Sequence, residues 1–461
     1  MEKTHEIKPS ILKAYDIRGV VDKEMTAVDA YFIGRSFGTI LRKRNKKSCV
    51  LGYDGRHTSP EYSKECAKGL SESGIEVTII GLLPTPAIYF GMKFLNTDAG
   101  FIVSASHNPK EYNGFKMLTQ EGPFWGDDIQ EIGKISKSGK FAEGNGKITV
   151  NNKIKEEYIK FVMKQFTEGK QTLNVVWDAG NGAIGAVLGE IVAQLPGKHK
   201  MIYADIDGDF PNHHPDPSIA SNMKDLQKEV VSGHYDLGIA FDGDGDRLGV
   251  VDSSGYIMYG DQLLLIFARE FLKKNKGEKV MSEVKASKVL YDDIEKNGGV
   301  PFMWKPGHSA IKAKMKDDNI KLAGETSGHI YWGENHNFDD SLFSSMKLLS
   351  ILNKSSKTLA QMISELPQVF ATSEIRVTVG DEEKFKIAKE LADKLRKEGK
   401  QFVDVDGVRA NLPEGWWLIR ASNTQPDLTL RCEALSEKNL EVVKADLAKQ
   451  LKSFNIEVKF E

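Results

Sequence analysis

Cysteine is scarce in this chain. Cys49, Cys66 and Cys432 are the only three in 461 residues. They are odd in number and far apart, which excludes a disulfide framework and leaves no Cys-based zinc site. No run of ~18 apolar residues occurs and the N-terminal segment is polar, so neither a membrane span nor a signal peptide is expected. Net charge is nearly absent as well: 63 Lys and Arg stand against 65 Asp and Glu, giving −2 overall. A chain so balanced has no field to draw nucleic acid or an anionic membrane as its main partner. The expectation is a cytoplasmic monomer acting on small molecules.

What is present is ample core material, 40% hydrophobic against 28% charged residues, and a length that suggests ~3 domains. Glycine is in excess, 42 residues where ~7% usage would give roughly 32. Strand and helix signals alternate. An amphipathic helix opens at Thr26 and Asp29 with Ile33, Phe37, Ile40 and Leu41 on one stripe, and a buried strand follows over 48–51. A second helix has Ser59 as N-cap, Pro60 at its first position and Gly74 past its end. Strands at 76–80 and 100–103 continue a βαβ rhythm, which predicts a parallel or mixed sheet. The polar stretch 134–155 looks like a boundary. The rhythm returns beyond it, with strands at 173–177, 201–205 and 237–241, and again from about residue 256. After Leu366 and Pro367 the pattern becomes α+β, with Asp406-Gly407 as a hairpin signal. Leu51-Gly-Tyr-Asp-Gly and Val176-Trp-Asp-Ala-Gly share a strand-Asp-Gly pattern that hints at internal repeats.

Four loops carry reactive residues. The first, Ser104-Ala-Ser106-His107-Asn108-Pro109, leaves a buried strand, where a serine suits a nucleophile. Neighbours on an extended chain point to opposite sides, so His107 is not implied as the base for Ser106. The second, Asp242-Gly-Asp244-Gly-Asp246-Arg247, packs hard oxygen ligands on flexible backbone and predicts a metal site. The EF-hand pattern is excluded by Arg247 at position 6 and Ser253 at position 12, and an oxygen-only set favours Mg2+. The third, Gly324-Glu325-Thr326-Ser327-Gly328-His329, offers groups for sugar hydroxyls and proton transfer. The fourth, Arg420-Ala-Ser422-Asn423-Thr424, forms a plausible phosphate cradle. Gly180-Asn-Gly182-Ala-Ile-Gly185 with Asp205 matches a dinucleotide fingerprint, but a three-aspartate metal loop has no place in such an enzyme.

The four loops, in this order, resemble the α-D-phosphohexomutase superfamily, in its phosphomannomutase/phosphoglucomutase branch. Tyr15-Asp-Ile-Arg18-Gly, Asn113-Gly-Phe-Lys116 and Trp304-Lys-Pro-Gly-His308 add to the likeness, which spans essentially the whole chain. The resemblance implies an α/β fold: three similar α/β domains with mixed sheets (1–153, 154–255, 256–367) and a C-terminal α+β domain (368–461) around a central cleft. It implies an isomerase in which phosphorylated Ser106 exchanges a phosphoryl group with a hexose phosphate through a 1,6-bisphosphate, which serves as activator and intermediate. Mg2+ would be held by Asp242, Asp244, Asp246 and the Ser106 phosphate. Lys116 and His329 would handle the proton, with Arg18, Arg247 and His107 in the catalytic set. Glu325 and Ser327 would bind the 3- and 4-hydroxyls; Tyr15, Lys285, His308, Arg420, Ser422, Asn423 and Thr424 complete the substrate set. The C-terminal domain would close through a hinge near residues 366–372. Mannose, with glucose as a second sugar, is the expected substrate. Thr326 departs from the Met common in dual-specificity members and the Gln common among phosphoglucosamine mutases, the alternative within the family.

Overall fold

The computed structural model describes residues 4–380, 382–422 and 426–460. They fall into two compact units, one formed by Met1–Leu263, Gly307–Lys321 and Ser327–Ala360, the other by Leu264–Pro306, Leu322–Thr326 and Gln361–Glu461. No helix among the described residues is long and apolar enough to cross a membrane.

In the first unit the strand Ser48–Tyr53 pairs in parallel with Glu76–Leu82 on one side and Ala99–Val103 on the other. Ala99–Val103 then pairs antiparallel with Tyr112–Thr119, and that strand with Ile17–Val20. Ala99–Val103 is buried along its whole length, as the unbroken apolar run of a central strand requires. Helices Ala27–Lys43 and Ser59–Glu72 supply Ile33, Phe37 and Leu70 to a core shared with Leu51, Phe101 and Phe115. Asp29 stops the first helix from fraying by accepting the backbone N–H of Thr26 at 2.8 Å. Ser59 is not the cap of the second helix. It is the first helical residue, and its hydroxyl goes instead to Asp54 at 2.6 Å. Nor is 134–155 simply a linker: Asp127–Ser138 is helical, and Ile148–Val150 adds a parallel edge strand beside Glu76–Leu82.

The same pairing recurs. Val175–Asp178 lies parallel to His199–Ile202 and Leu237–Phe241, and Leu237–Phe241 runs antiparallel to Leu248–Asp252. In the second unit Lys279–Glu283 lies parallel to Val300–Trp304 and Leu322–Gly324. The repeat hinted at in sequence is therefore a repeat of strand pairing. Its consequence is functional, because the serine loop, the aspartate loop and the Glu325 loop each leave the same strand of the repeat, Ala99–Val103, Leu237–Phe241 and Leu322–Gly324.

The C-terminal sheet is antiparallel: Phe370–Ala371, Asp427–Ala434, Gly415–Ala421, Val408–Asn411 and Phe402–Val403 in that order. Gly415–Ala421 is buried on both faces, with period 2. Trp417 and Ile419 pack with Leu391, Leu395, Val443 and Leu447, while Trp416 and Leu418 pack with Val284. At ~25 cal/mol per Å2 over ~150–250 Å2, each indole contributes on the order of 4–6 kcal/mol to this unit. The pairing of Phe370 and Ala371 with Ala434 and Glu433, and of Thr372 with Cys432, leaves only 366–369 of the expected hinge stretch outside the sheet.

Candidate active site

The serine loop is tightly folded. Ser104 N–H bonds Gly114 O at 2.9 Å, Ser106 N–H bonds Ser104 Oγ at 2.8 Å, and Ser106 is 1% exposed with φ of 51°. A left-handed conformation is disfavoured for a residue with a side chain and clusters at functional positions. It also overturns the extended-chain expectation: His107 Nδ1 comes within 3.2 Å of Ser106 Oγ. Burial, then the cations Arg247 and Arg18, push the His107 imidazole well below its usual range, so the ring is neutral at pH 7. Ser106 Oγ donates to Asp242 Oδ2 at 2.7 Å. Arg18, bound to Asp16 through Nε at 2.7 Å, also donates to the Asn108 side chain of the same loop.

Asp242, Asp244 and Asp246 are completely buried, with ligand oxygens all within 4.8 Å of one another. Asp242 Oδ1 accepts the N–H groups of Gly245 and Arg247 at 3.0 and 3.1 Å. Asp244 Oδ2 accepts from Thr85 Oγ1 at 2.6 Å, Lys116 Nζ at 2.7 Å and Ser104 Oγ at 3.2 Å. Lys116 reaches Asp246 Oδ2 at 2.7 Å as well. Burial alone would depress the Lys116 ammonium, but Asp244 and Asp246 outweigh it and hold it charged. Burial and the charges of Asp246 and Asp244 push the Asp242 carboxyl well up. Two oxygens, Asp244 Oδ1 and Asp246 Oδ1, have no hydrogen-bond partner among the described residues although buried. One carboxylate pushed toward protonation beside two that Lys116 holds ionised, with unused oxygens among them, fits a hard divalent cation.

Beside this cluster, Arg247 Nε donates to His329 Nε2 at 2.8 Å, which makes that nitrogen an acceptor. His329 Nδ1 lies 2.9 Å from Asp339 Oδ2, a close contact without good hydrogen-bond alignment, and 3.5 Å from Asp246 Oδ1. Lys312 pairs with Asp339 and with the Tyr89 hydroxyl. His308 stacks near His329, and burial followed by Lys312 depresses its imidazole well below the ordinary value, leaving it neutral. Tyr15, Tyr89, Lys116, His308 and Lys312 line one cavity of about 270 Å3.

The first unit thus brings together Ser106, His107, Lys116, Asp242, Asp244, Asp246, Arg247 and His329, with Arg18, Tyr15 and His308 adjoining; Ser327 precedes Gly328, whose carbonyl accepts Leu248 N–H at 3.2 Å. The second unit holds Lys285, Glu325, Arg420 and Ser422. There Glu283 accepts the Lys285 N–H at 2.8 Å and the Thr326 hydroxyl at 2.6 Å, so the residue that departs from the family pattern is engaged in holding its own loop. Arg409 binds Val284 O and Ala286 O at 2.7 and 2.6 Å and lies 3.7 Å over Trp416, which fixes the Lys285 loop to the sheet that carries Arg420. Arg420 itself pairs with Asp406. Asn423 and Thr424 lie outside the described residues.

Sequence reading missed Asp54, Arg56, Asp178, Glu283, Lys312 and Asp339. A signal existed for two of them: Asp54 and Asp178 are the aspartates of the repeated strand-Asp-Gly pattern. Glu283 holds the matching place at the end of Lys279–Glu283. Asp178 accepts Gly180 N–H at 2.9 Å and lies 3.0 Å from His213. The dinucleotide-like glycines have a packing role instead. A Cβ on Gly182 would meet Gly243 O at 2.8 Å and one on Gly185 would meet Ala204 O at 2.2 Å, while Asp205 is exposed.

Known proteins resemble the chain along nearly its whole length. The chain matches the sequence profiles of phosphoglucomutase/phosphomannomutase alpha/beta/alpha domain I over residues 9–143, domain II over 156–255, domain III over 259–370 and the C-terminal domain over 374–450. It is 39% identical over 452 residues to a phosphomannomutase/phosphoglucomutase of Pseudomonas aeruginosa, covering 98% of this chain and 97% of that one. It is 38% identical over 440 residues to a phosphoglucomutase of Neisseria gonorrhoeae, covering 94% and 95%. The crystal structure of a phosphoglucomutase/phosphomannomutase family protein from Burkholderia thailandensis superposes with a TM-score of 0.92 at 35% identity, covering 98% of this chain and 99% of that one. Four matched domains, full-length relatives and a shared fold together establish that the chain belongs to the phosphoglucomutase/phosphomannomutase family of the α-D-phosphohexomutase superfamily.

Proposed function

We propose that this isomerase of hexose phosphates carries its phosphoryl group on Ser106 and interconverts the 1- and 6-phosphates of mannose, and of glucose as a second sugar, through a 1,6-bisphosphate. The observation that supports this most is the seat of Ser106 Oγ, 2.7 Å from Asp242 in a buried trio of aspartates that Lys116 bridges. Asp242, Asp244 and Asp246 would hold Mg2+, together with the Ser106 phosphate. When bound, the ion would draw negative charge off a transferring phosphoryl group.

The chain's own residues do the rest. Lys116 and Arg247 bring positive charge to the reacting phosphoryl oxygens, and Arg18 anchors the loop at Asn108. His329 and Lys116 serve the sugar hydroxyl proton. His107 offers a neutral ring nitrogen beside Ser106 Oγ. Glu325 and Ser327 take the 3- and 4-hydroxyls. Arg420, Ser422, Asn423 and Thr424 hold the phosphate that is not reacting, where binding energy serves orientation, and Tyr15, Lys285 and His308 complete the substrate-binding set. The division at 1–153, 154–255, 256–367 and 368–461 belongs to the same proposal and is supported by the four matched ranges. So does a cytoplasmic monomer, supported by near-balanced charge and three free, buried cysteines.

The test is a coupled assay with mannose 1-phosphate, glucose 1-phosphate or glucosamine 6-phosphate, each with Mg2+ and a trace of hexose 1,6-bisphosphate. Product is expected from the mannose and glucose substrates. Product from glucosamine 6-phosphate alone would overturn the sugar assignment, and none from any of the three would overturn the mutase itself.

A further inference from the structure

A serine held at φ of 51° needs something to hold it there, beyond its one side-chain bond to Asp242 and its contact with His107. The holder is a guanidinium on the far side of the loop. Arg56 is 2% exposed, and its two terminal nitrogens donate four hydrogen bonds, all to main-chain carbonyls around the serine: Nη2 to Ser106 O at 2.8 Å and Asn108 O at 2.6 Å, Nη1 to Pro109 O at 2.8 Å and Tyr112 O at 2.9 Å. Four hydrogen bonds from the two terminal nitrogens make the burial of this cation tolerable, and a planar fork can meet four carbonyls in fixed geometry where an ammonium cannot.

Arg56 is itself seated. Asp54, also 2% exposed, accepts the Arg56 backbone N–H at 3.0 Å and the Ser59 hydroxyl at 2.6 Å, and its Oδ2 lies 3.2 Å from Arg56 Nε. Asn113 Nδ2 donates to Ser59 Oγ at 3.0 Å, and Asp54 N–H bonds Val103 O at 3.0 Å, so the seat is tied to both strands that flank the loop. From the other side Gly243 closes on the same carbonyl: a Cβ there would lie 2.5 Å from Ser106 O. The Ser106 peptide is gripped between Arg56 and the aspartate loop.

The geometry points to Arg56, seated on Asp54, as the positioning residue that aims Ser106 for phosphoryl transfer. It acts through the backbone, since its hydrogen bonds go to carbonyls and not to Ser106 Oγ. This rests on Ser106 being the phosphoryl carrier.

The experiment compares wild type, Arg56→Lys, Arg56→Ala, Asp54→Asn and Ser106→Ala by Tm, by kcat and KM for hexose 1-phosphate at saturating bisphosphate, and by phosphate occupancy of Ser106 from intact mass. Arg56→Lys and Arg56→Ala are expected to lose about 100-fold in kcat, the effect of a misplacement of ~1 Å at a reacting atom, with KM changed less than about threefold. Lysine is expected to rescue little. Should alanine leave too little folded protein, the lysine and Asp54→Asn variants decide. Wild-type kcat in folded Arg56→Lys, or a loss confined to KM, overturns the assignment. Activity surviving in Ser106→Ala would instead overturn the carrier on which it rests, and those two failures cannot be confused.

Discussion

Ser106→Ala is expected to abolish turnover, by on the order of 10^4-fold or more, while the protein remains folded. The substitution removes one oxygen from a site that is 1% exposed and leaves the backbone bonds of the loop in place: Ser106 N–H to Ser104 Oγ, and Ser106 O to Arg56. What disappears is the one hydroxyl that meets both Asp242 and His107. A lost hydrogen bond of this kind costs about 1 kcal/mol, so Tm should fall by a few degrees at most. The same coupled assay and a thermal melt check both halves. No other hydroxyl replaces it: Ser104 Oγ is already committed to Asp244 and to the Ser106 N–H.

Asp244→Asn is expected to be the next most damaging change, lowering Mg2+-dependent activity by about 10^3-fold. Asp244 is the hub of the aspartate trio. Among the described residues its Oδ2 takes three donors, from Thr85, Ser104 and Lys116, and its Oδ1 has none. An amide keeps one acceptor but removes the charge. Lys116, 4% exposed, is then left with Asp246 as its remaining carboxylate partner among those bonded to it here. Weakening a buried pair in this way costs on the order of 1–3 kcal/mol of stability. KM should change little, because Lys285 and Arg420 are organised separately by Glu283, Arg409 and Asp406. Titrating Mg2+ in the variant should show a raised requirement; unchanged activity with unchanged metal dependence would remove Asp244 from the metal set.

The parts of this site that could be read from sequence are those where side-chain chemistry is concentrated in a few adjacent residues. Asp242, Asp244 and Asp246 declare themselves because three carboxylates in five residues have few other uses, and Ser106 because it follows a run, 99–103, that only a central strand would bury. Arg56 and Asp339 were silent. Arg56 acts on carbonyls 50 to 56 positions away, and a carbonyl leaves no mark in sequence. Asp339 meets His329 through the pairing of Phe338–Asp339 with Ile330–Trp332, a short hairpin without an alternating pattern long enough to read. The wrong expectation about His107 has the same origin. Strand logic was extended one residue too far, to a serine that leaves the extended region at φ of 51°. The repeat was visible only as Asp-Gly after two strands, because the three copies keep their strand pairing while their loops have diverged into serine, aspartate and glutamate chemistry.

That divergence leaves phosphoryl transfer to one atom, Ser106 Oγ. The most direct measurement is a chase: enzyme carrying radiolabelled phosphate on Ser106 is mixed with unlabelled mannose 1-phosphate or glucose 1-phosphate and Mg2+, and the label is followed on the timescale of turnover. It should leave the serine and appear in hexose bisphosphate, then in hexose 6-phosphate. Label that stays on Ser106 while product forms, or that leaves only as inorganic phosphate, would show that Ser106 does not pass its phosphoryl group to the sugar.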